Sequence, residues 1–254
     1  MQNSSKLTYY VLHRRPYRES SQIIELFCEK QGRFSALHRV NKKQPALQPF
    51  IPYQMQFSGR GDLKYCQHVE IHYPSIYASS SSSADGAPVK GQLLKGRNLY
   101  CGFYLNELIM RLAWKGEPQP ELYRVYQQTL LGLLQLENDM QSEPLLRRFE
   151  FHLLAILGYQ YNWQQDTECR AIQPDQFYSF DPGSGFNLIT AHAHANGYAA
   201  ASQKSFPGHA ILAIAAEDWQ HELSWPVAKH IARLALNPLL GDKPLASREL
   251  FQKM

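Results

Sequence analysis

The residues of this sequence best suited to binding chemistry are cations in the first third of the chain. Residues 1–80 hold eleven Lys and Arg against five Asp and Glu, a net charge of +6, whereas residues 81–254 sum to −2. Guanidinium and ammonium groups neutralise phosphates, so this imbalance indicates a polyanionic partner, most commonly nucleic acid. The alternative is that these cations only form a solvated face. The candidate DNA-binding residues are Arg14, Arg15, Arg18, Arg33, Arg39, Lys42, Lys43, Arg60 and Lys64.

Aromatic residues lie between these cations in the sequence. Aromatic rings stack on unpaired bases whatever the base sequence, so cations interleaved with rings are typical of a single-strand interface. The same rings can instead fill a hydrophobic core, and we prefer that interpretation for Phe27, Phe34, Phe50 and Phe57. The interleaved rings also include Tyr9, Tyr17, Tyr53 and Tyr65.

Metal chemistry is the second possibility. His192 and His194 alternate, and on a strand this spacing places both imidazoles on one face, where a metal could bind. Neither Glu168 nor Cys169 completes a ligand set with them, so a polar loop or edge is the preferred interpretation. The sequence also lacks a P-loop, a dinucleotide fingerprint and a Gly-x-Ser-x-Gly elbow. We therefore predict no catalytic residue, no bound metal and no cofactor.

The cations must be positioned by short β-strands. Apolar, β-branched and aromatic residues alternate in five segments, separated by turns rich in Gly and Pro. Five strands in about 70 residues fit a small closed barrel of the OB type. An open sheet or an SH3-like barrel has similar spacing and stays possible. The predicted strands cover residues 7–13, 22–28, 33–40, 51–57 and 63–73.

The chain changes character near residue 78. A serine-rich stretch predicts a flexible linker over residues 78–92. Helical periodicity follows, with helices expected around residues 99–112, 122–134, 142–158, 207–219 and 226–240. An irregular or β insert is expected around residues 160–200, with a hairpin signal at residues 181–185. The predicted fold class is α+β, with an OB-fold domain over residues 1–77 and a helical domain over residues 93–254.

The composition argues against a membrane protein and against a disulfide scaffold. The uncharged stretch over residues 210–216 is too short to cross a bilayer, and residues 1–6 are polar with no apolar signal core behind them. The four cysteines lie far apart and form no Cys-x-x-Cys pair. These observations predict a cytoplasmic protein, associated with the nucleoid if DNA is its partner.

Several segments together resemble the RecO family of bacterial recombination mediators. In the predicted barrel they are YVLHRRPYRESS at residues 10–21, Gly32-Arg33, LQPF at residues 47–50 and GRGDLK at residues 59–64. In the helical part they are YLNEL at residues 104–108, LRRFE at residues 146–150 and LGY at residues 157–159. LLGDKPLASRELF at residues 239–251 matches the family's C-terminal signature. The resemblance covers nearly the whole chain in the same order.

The resemblance implies an OB domain, a helical domain, and binding of single- and double-stranded DNA. It implies annealing of complementary strands and help in loading RecA onto strands coated with the single-strand-binding protein SSB. The implied partners are RecR, sometimes with RecF, and the acidic tail of SSB. Zinc-binding members carry paired Cys-x-x-Cys motifs where this chain has only Cys169, so the insert is predicted to be zinc-free. For the SSB tail, which is acidic and ends in Phe, the expected slot combines Arg147, Arg148, Phe151 and Leu154.

The sequence therefore predicts a non-enzymatic protein that binds and anneals DNA. Two other classes stay open. One is a protein adaptor that binds SSB or RecR and touches DNA only incidentally. The other is a metal-dependent enzyme that uses His192 and His194.

Overall fold

Five strands at the start of the chain form a closed barrel. The structure is a computed structural model that describes residues 7–42, 46–59, 64–73, 77, 93–136, 142–189 and 205–252. The strands run in the order β1-β2-β3-β5-β4, with β3 and β5 parallel and the other pairs antiparallel. This is a five-stranded OB-type barrel, as the spacing predicted. The strands are β1 Thr8–Tyr17, β2 Ser21–Cys28, β3 Gly32–Arg39, β4 Tyr53–Ser58 and β5 Lys64–Ile71.

Alternation along the strands decides which residues fill the barrel. Ile24 and Leu26 of β2 and Phe34 and Ala36 of β3 belong to one buried cluster. Successive side chains of a strand point to opposite faces, so the odd-numbered residues of β2 and β3 point outward. The outer face of these two strands is therefore free to contact helices or a ligand.

In the described part of the chain, six helices with defined bounds follow the barrel, and five of them were predicted. The fourth, α4, ends at Ala215 and not near Trp219 as expected, because Glu217 adopts a left-handed φ of 53° that a helix cannot continue through. The last, α6, was not predicted. Its first amides, at Ala246 and Ser247, donate to the carboxylate of Glu107 at 2.9 and 2.8 Å, a cap supplied by another helix. The helices are α1 Gly96–Leu112, α2 Pro120–Gln135, α3 Ser142–Ile156, α4 Gly208–Ala215, α5 Ser224–Leu240 and α6 Ala246–Gln252.

A small sheet interrupts the helical part. Strands β6 (Phe177–Asp181), β7 (Gly185–Leu188) and β8 (Phe206–Pro207) are arranged in the order β7-β6-β8. Asp181 Oδ1 accepts hydrogen bonds from the amides of Gly183 and Ser184, both at 2.9 Å, and so closes the hairpin turn. The hairpin and the β insert were both predicted.

The contacts divide the chain into two compact units, residues 1–142 with 244–254, and residues 143–243. Helices α1, α2 and α6 fall in the same unit as the barrel. The predicted domain boundaries follow the change in composition at the serine-rich stretch, whereas this division follows packing, so those boundaries stay a prediction. Among the residues that the structure describes, no helix has the length and apolarity that crossing a bilayer requires.

A β-bulge in β1 provides the backbone carbonyl to which α1 hydrogen-bonds. Val11 pairs with Leu26 and His13 with Glu25, which leaves Leu12 as an extra residue. Asn106 Nδ2 donates to the Leu12 carbonyl at 2.9 Å, and the Tyr126 hydroxyl donates to Asn106 Oδ1 at 2.6 Å. Both side chains are buried, so this chain of bonds satisfies polar groups that water cannot reach.

Aromatic rings complete the packing of α2 on the barrel. Tyr10 and Phe27 pair across β1 and β2 and point to the same outer face. Each contacts both Tyr123 and Tyr126, with ring centroids 5.4 to 6.0 Å apart. The hydroxyls of Tyr10 and Tyr77 share a hydrogen bond of 3.0 Å, and burial raises the pKa of Tyr10 to about 12. This half of the outer face is thus closed by helix, whereas the described residues of the half nearer the β1–β2 turn are exposed or half-buried.

Candidate nucleic-acid interface

The open half of the barrel presents a row of cross-strand neighbours. Arg15 of β1 pairs with Ile23, Ile23 pairs with Leu37, and Leu37 pairs with Tyr65 of β5. Directly paired residues share one side of a sheet, so these four form a continuous strip on the outside. Arg39 lies on the same side of β3, two residues beyond Leu37. We call the surface made by Arg15, Ile23, Leu37, Arg39 and Tyr65 the open face.

The open face has the composition of a surface that binds single strands. The Tyr65 side chain is 51 % exposed, and Ile23 and Leu37 are half-buried, so apolar surface is available for stacking. Arg15 and Arg39 are exposed at the border of the open face next to the β1–β2 turn, where they can reach phosphates. In OB folds the faces of strands 2 and 3, with the β1–β2 and β4–β5 loops, bind oligonucleotides.

The β1–β2 turn extends this surface. Tyr17 pairs with Ser21, and Ser21 also pairs with Arg39. The β1–β2 turn therefore lies beside the Arg39 end of the open face. Arg18 adopts a left-handed φ of 57°, and its guanidinium lies 5.2 Å from the centre of the Tyr17 ring. Both side chains are exposed, and together they offer a ring and a charge to a strand.

Arg14 and Lys42 lie at the same end of the barrel. Both are exposed, but Arg14 Nη1 donates to the Leu47 carbonyl at 3.0 Å and thereby ties down the connection after β3. Lys43 and Arg60 fall outside the described residues, so their predicted roles stay predictions.

Arg33 and Lys64 do not lie on the open face. The Arg33 guanidinium is 3.7 Å from the Glu25 carboxylate and donates to the Ala113 carbonyl at 3.4 Å, which links β3 to the end of α1. Lys64 Nζ lies 4.9 Å from the centre of the Phe34 ring, toward the barrel interior. The nine predicted cations therefore do not make one surface, because strand alternation separates them.

The predicted core aromatics are confirmed. Phe27, Phe34 and Phe50 are buried, and Phe57 is partly buried against the barrel core. Tyr9 and Tyr53 are buried as well, which leaves Tyr17 and Tyr65 as the exposed rings of the predicted set. Sequence reasoning missed Ile23 and Leu37 as surface residues. Their signal was present in the alternation, since their even-numbered neighbours fill the barrel.

The structure does not bring the four predicted SSB-tail residues to one surface. The Arg147 side chain is only 5 % exposed, and its guanidinium lies 2.7 Å from Glu150 and 3.8 Å from Glu143. Leu154 is fully buried. Arg148 is exposed and forms an ion pair with Glu217, and Phe151 is partly buried against Trp163 with ring centroids 4.7 Å apart. A ligand on the surface of α3 thus meets Arg148 and Phe151.

Cys169 sits in a turn organised by Asp166. The Asp166 carboxylate accepts from the amides of Glu168 and Arg170 and from Arg170 Nε at 2.8–2.9 Å. Burial alone would raise the pKa of Asp166, but these bonds outweigh it and lower that pKa. Within the described ranges, no three His, Cys, Asp or Glu residues are grouped so that they could hold a metal. His192 and His194 lie outside those ranges.

Comparison with known proteins agrees with this architecture. The family model described as "Recombination protein O N terminal" matches residues 1–74, and "Recombination protein O C terminal" matches residues 94–241. The DNA repair protein RecO of Marinobacter nauticus is 35 % identical over 248 residues, 95 % of this chain and 92 % of that protein. Its counterpart in Coxiella burnetii is 37 % identical over 247 residues, 95 % of each chain.

The two family models leave only residues 75–93 and the last thirteen residues unmatched. The barrel with its open face lies within the first match, and α1 to α5 lie within the second. A role in DNA repair and recombination follows from these matches. The chain belongs to the RecO family of DNA repair proteins.

Proposed function

We propose that this protein is a non-enzymatic recombination mediator that binds single- and double-stranded DNA through the open face and anneals complementary strands. The observation that carries the proposal is the strip of Arg15, Ile23, Leu37 and Tyr65 on the outside of an OB barrel. The arginines offset phosphate charge, and the apolar strip and Tyr65 take up unpaired bases. Such a surface reduces repulsion between two backbones and leaves base edges free to pair, so annealing needs no covalent step.

The test is the affinity for single-stranded DNA of the double variant Arg15→Glu, Arg39→Glu, measured by fluorescence anisotropy over a range of salt concentrations. Each phosphate contact contributes about one to the slope of log K against log salt. The variant should bind at least about tenfold more weakly, with a slope smaller by about two. Arg124→Glu is the control for reversing a surface charge, since Arg124 is an exposed arginine of α2 outside the open face. Equal affinities of the double variant and the control would refute the proposal.

We infer that the acidic tail of SSB binds on α3 and that RecR, with or without RecF, joins the complex, so that RecA is loaded onto SSB-coated strands at the nucleoid in the cytoplasm. The exposed Arg148 next to the ring of Phe151 supports a contact with an acidic peptide that ends in an aromatic residue. Arg147 and Leu154 would support this contact from the interior.

Substituting Glu217 tests whether Arg148 contacts the peptide. Its carboxylate pairs with Arg148 and competes with an acidic peptide for the guanidinium. Glu217→Gln should strengthen binding of an SSB tail peptide, and Arg148→Glu should weaken it. If neither substitution moves the affinity, the tail binds elsewhere. If the open-face double variant still anneals DNA in the presence of SSB and RecR, the adaptor alternative is the better account.

A further inference from the structure

A tryptophan in the loop between α1 and α2 is exposed to solvent and belongs neither to the open face nor to the surface of α3. The Trp114 side chain is 64 % exposed, the highest value among the large apolar residues described. A single exposed apolar residue is ordinary on a protein surface, so the significance of Trp114 depends on what lies beside it. No motif or periodicity in the sequence distinguishes Trp114 from the end of a helix.

The loop that carries Trp114 is held against the barrel. The amide of Gly116 donates to the Arg33 carbonyl at 2.7 Å, and Lys115 Nζ donates to Ser35 Oγ at 2.8 Å. Lys115 forms a parallel bridge with Arg33, so the loop adds to the edge of β3 just before β5 begins to pair with it. Glu117 approaches so closely that a Cβ on Gly32 would lie 1.7 Å from its carbonyl oxygen. The backbone that follows Trp114 is therefore fixed to β3.

This anchoring places the loop beside the open face. Ser35, which receives the Lys115 bond, points outward from β3 two residues before Leu37. Residues two apart on a strand are separated by about 7 Å, roughly the spacing of successive nucleotides in an extended strand. Leu37 pairs with Tyr65, so the exposed rings of Tyr65 and Trp114 border the same stretch of β3.

The geometry points to Trp114 as a further base-stacking residue, through which the α1–α2 loop extends the path of single-stranded nucleic acid beyond the open face. The inference rests on the proposed function. A single strand is favoured over a protein partner because the exposed Lys115 lies beside Trp114 and the loop adjoins β3, whose outer residues continue into the cationic open face. A ring that stacks on bases adds affinity without neutralising phosphates, so its contribution is independent of salt.

The experiment compares Trp114→Ala and Trp114→Phe with the unmodified protein for binding of oligo(dT) and of a duplex of equal length. Loss of one stacked base should weaken oligo(dT) binding about tenfold. The slope against salt and the duplex affinity should stay unchanged, since paired bases are not available to the ring. Trp114→Phe should recover most of the affinity. Tyr159→Ala, which removes an exposed ring from the other compact unit, is the control and should have no effect.

The outcomes separate this inference from the proposed function. If Trp114→Ala binds oligo(dT) normally while the Arg15→Glu, Arg39→Glu variant does not, the inference fails and the open face stands. If Trp114→Ala lowers binding of RecR or of the SSB tail but not of oligo(dT), the loop is a protein-docking site and the inference is overturned. If Trp114→Ala alters single-strand and duplex binding equally, stacking is not its role and the inference is again overturned.

Discussion

At the scale of single residues, neighbouring arginines of α3 have opposite environments. Arg147 is buried between Glu143 and Glu150, whereas Arg148 is exposed and pairs only with the exposed Glu217 among the ion pairs described. Consecutive helical residues point about 100° apart, so one of two adjacent arginines can face the interior. The sequence could not tell which one, because Lys229, which contacts Glu143 at 3.0 Å, comes from a distant helix.

This difference predicts unequal effects on stability. Arg147→Ala removes the guanidinium partner of the fully buried Glu150 and should lower the free energy of unfolding by about 3 kcal/mol. Arg148→Ala should change it by less than about 0.5 kcal/mol, because exposed ion pairs contribute little. Urea unfolding followed by circular dichroism measures both. Similar losses for the two variants would contradict the assignment of Arg147 to the interior.

The four cysteines should differ in reactivity. Cys28, Cys66 and Cys101 are buried and Cys169 is exposed. Burial raises the pKa of the Cys66 thiol from 9.0 to about 12, so the folded state favours the neutral thiol. We expect iodoacetamide at pH 8 to modify Cys169 within minutes and to spare the other three, as read by mass spectrometry. Denatured protein, in which all four react, is the control.

The same pKa shift has a consequence for stability at high pH. The unfolded thiol ionises above about pH 9, while the folded one resists ionisation until about pH 12. The stability that depends on the neutral Cys66 is therefore fully present below pH 9 and is lost as the pH rises toward 12. Cys66→Ala should show a smaller decline in urea midpoint between pH 8 and 10.5 than the unmodified protein. A steeper decline in the variant would contradict this sign.

At the scale of elements, the bulge in β1 depends on a side chain from α1. Asn106→Leu removes the donor to the Leu12 carbonyl and the acceptor for the Tyr126 hydroxyl, leaving buried polar groups unsatisfied. We expect a loss of about 2–4 kcal/mol in the free energy of unfolding. Tyr126→Phe, which removes only one partner, should cost about 1–2 kcal/mol. Tyr17→Phe at the exposed turn should be neutral in the same urea titration, and a loss as large as that of Asn106→Leu would argue against this mechanism.

The elements that the sequence predicts well are those with a local pattern. All five barrel strands were located within three residues at each end, except that β1 continues to Tyr17, because alternation and turn residues are local signals. The bulge and helix α6 were missed since both depend on side chains from α1, Asn106 and Glu107. The close approach of the Glu117 carbonyl, which leaves no room for a side chain at Gly32, is a tertiary contact that no local pattern signals.

At the scale of the whole molecule, the excess positive charge of residues 1–80 is divided by the fold. Arg15, Arg18 and Arg39 reach the open face or its border, whereas Arg33 is used to fix the barrel to α1. Charge along the sequence could therefore predict that the barrel carries the cations, but only strand register decides which of them face a ligand. Alternation indicates that Ile23 and Leu37 point outward, but it does not say which outward residues the helices will cover, so the exposure of this apolar strip could not be predicted.

We propose that the cationic open face brings complementary strands together. The most direct test is the annealing rate of two complementary oligonucleotides with the protein at 50 and 200 mM salt, for the unmodified chain, Arg15→Glu with Arg39→Glu, and the Arg124→Glu control. We predict that the unmodified chain and the control accelerate annealing at 50 mM salt. At 200 mM salt their annealing rates should be lower by about tenfold or more. The double variant should accelerate it little at either salt concentration. Annealing by the double variant at the unmodified rate would contradict the account.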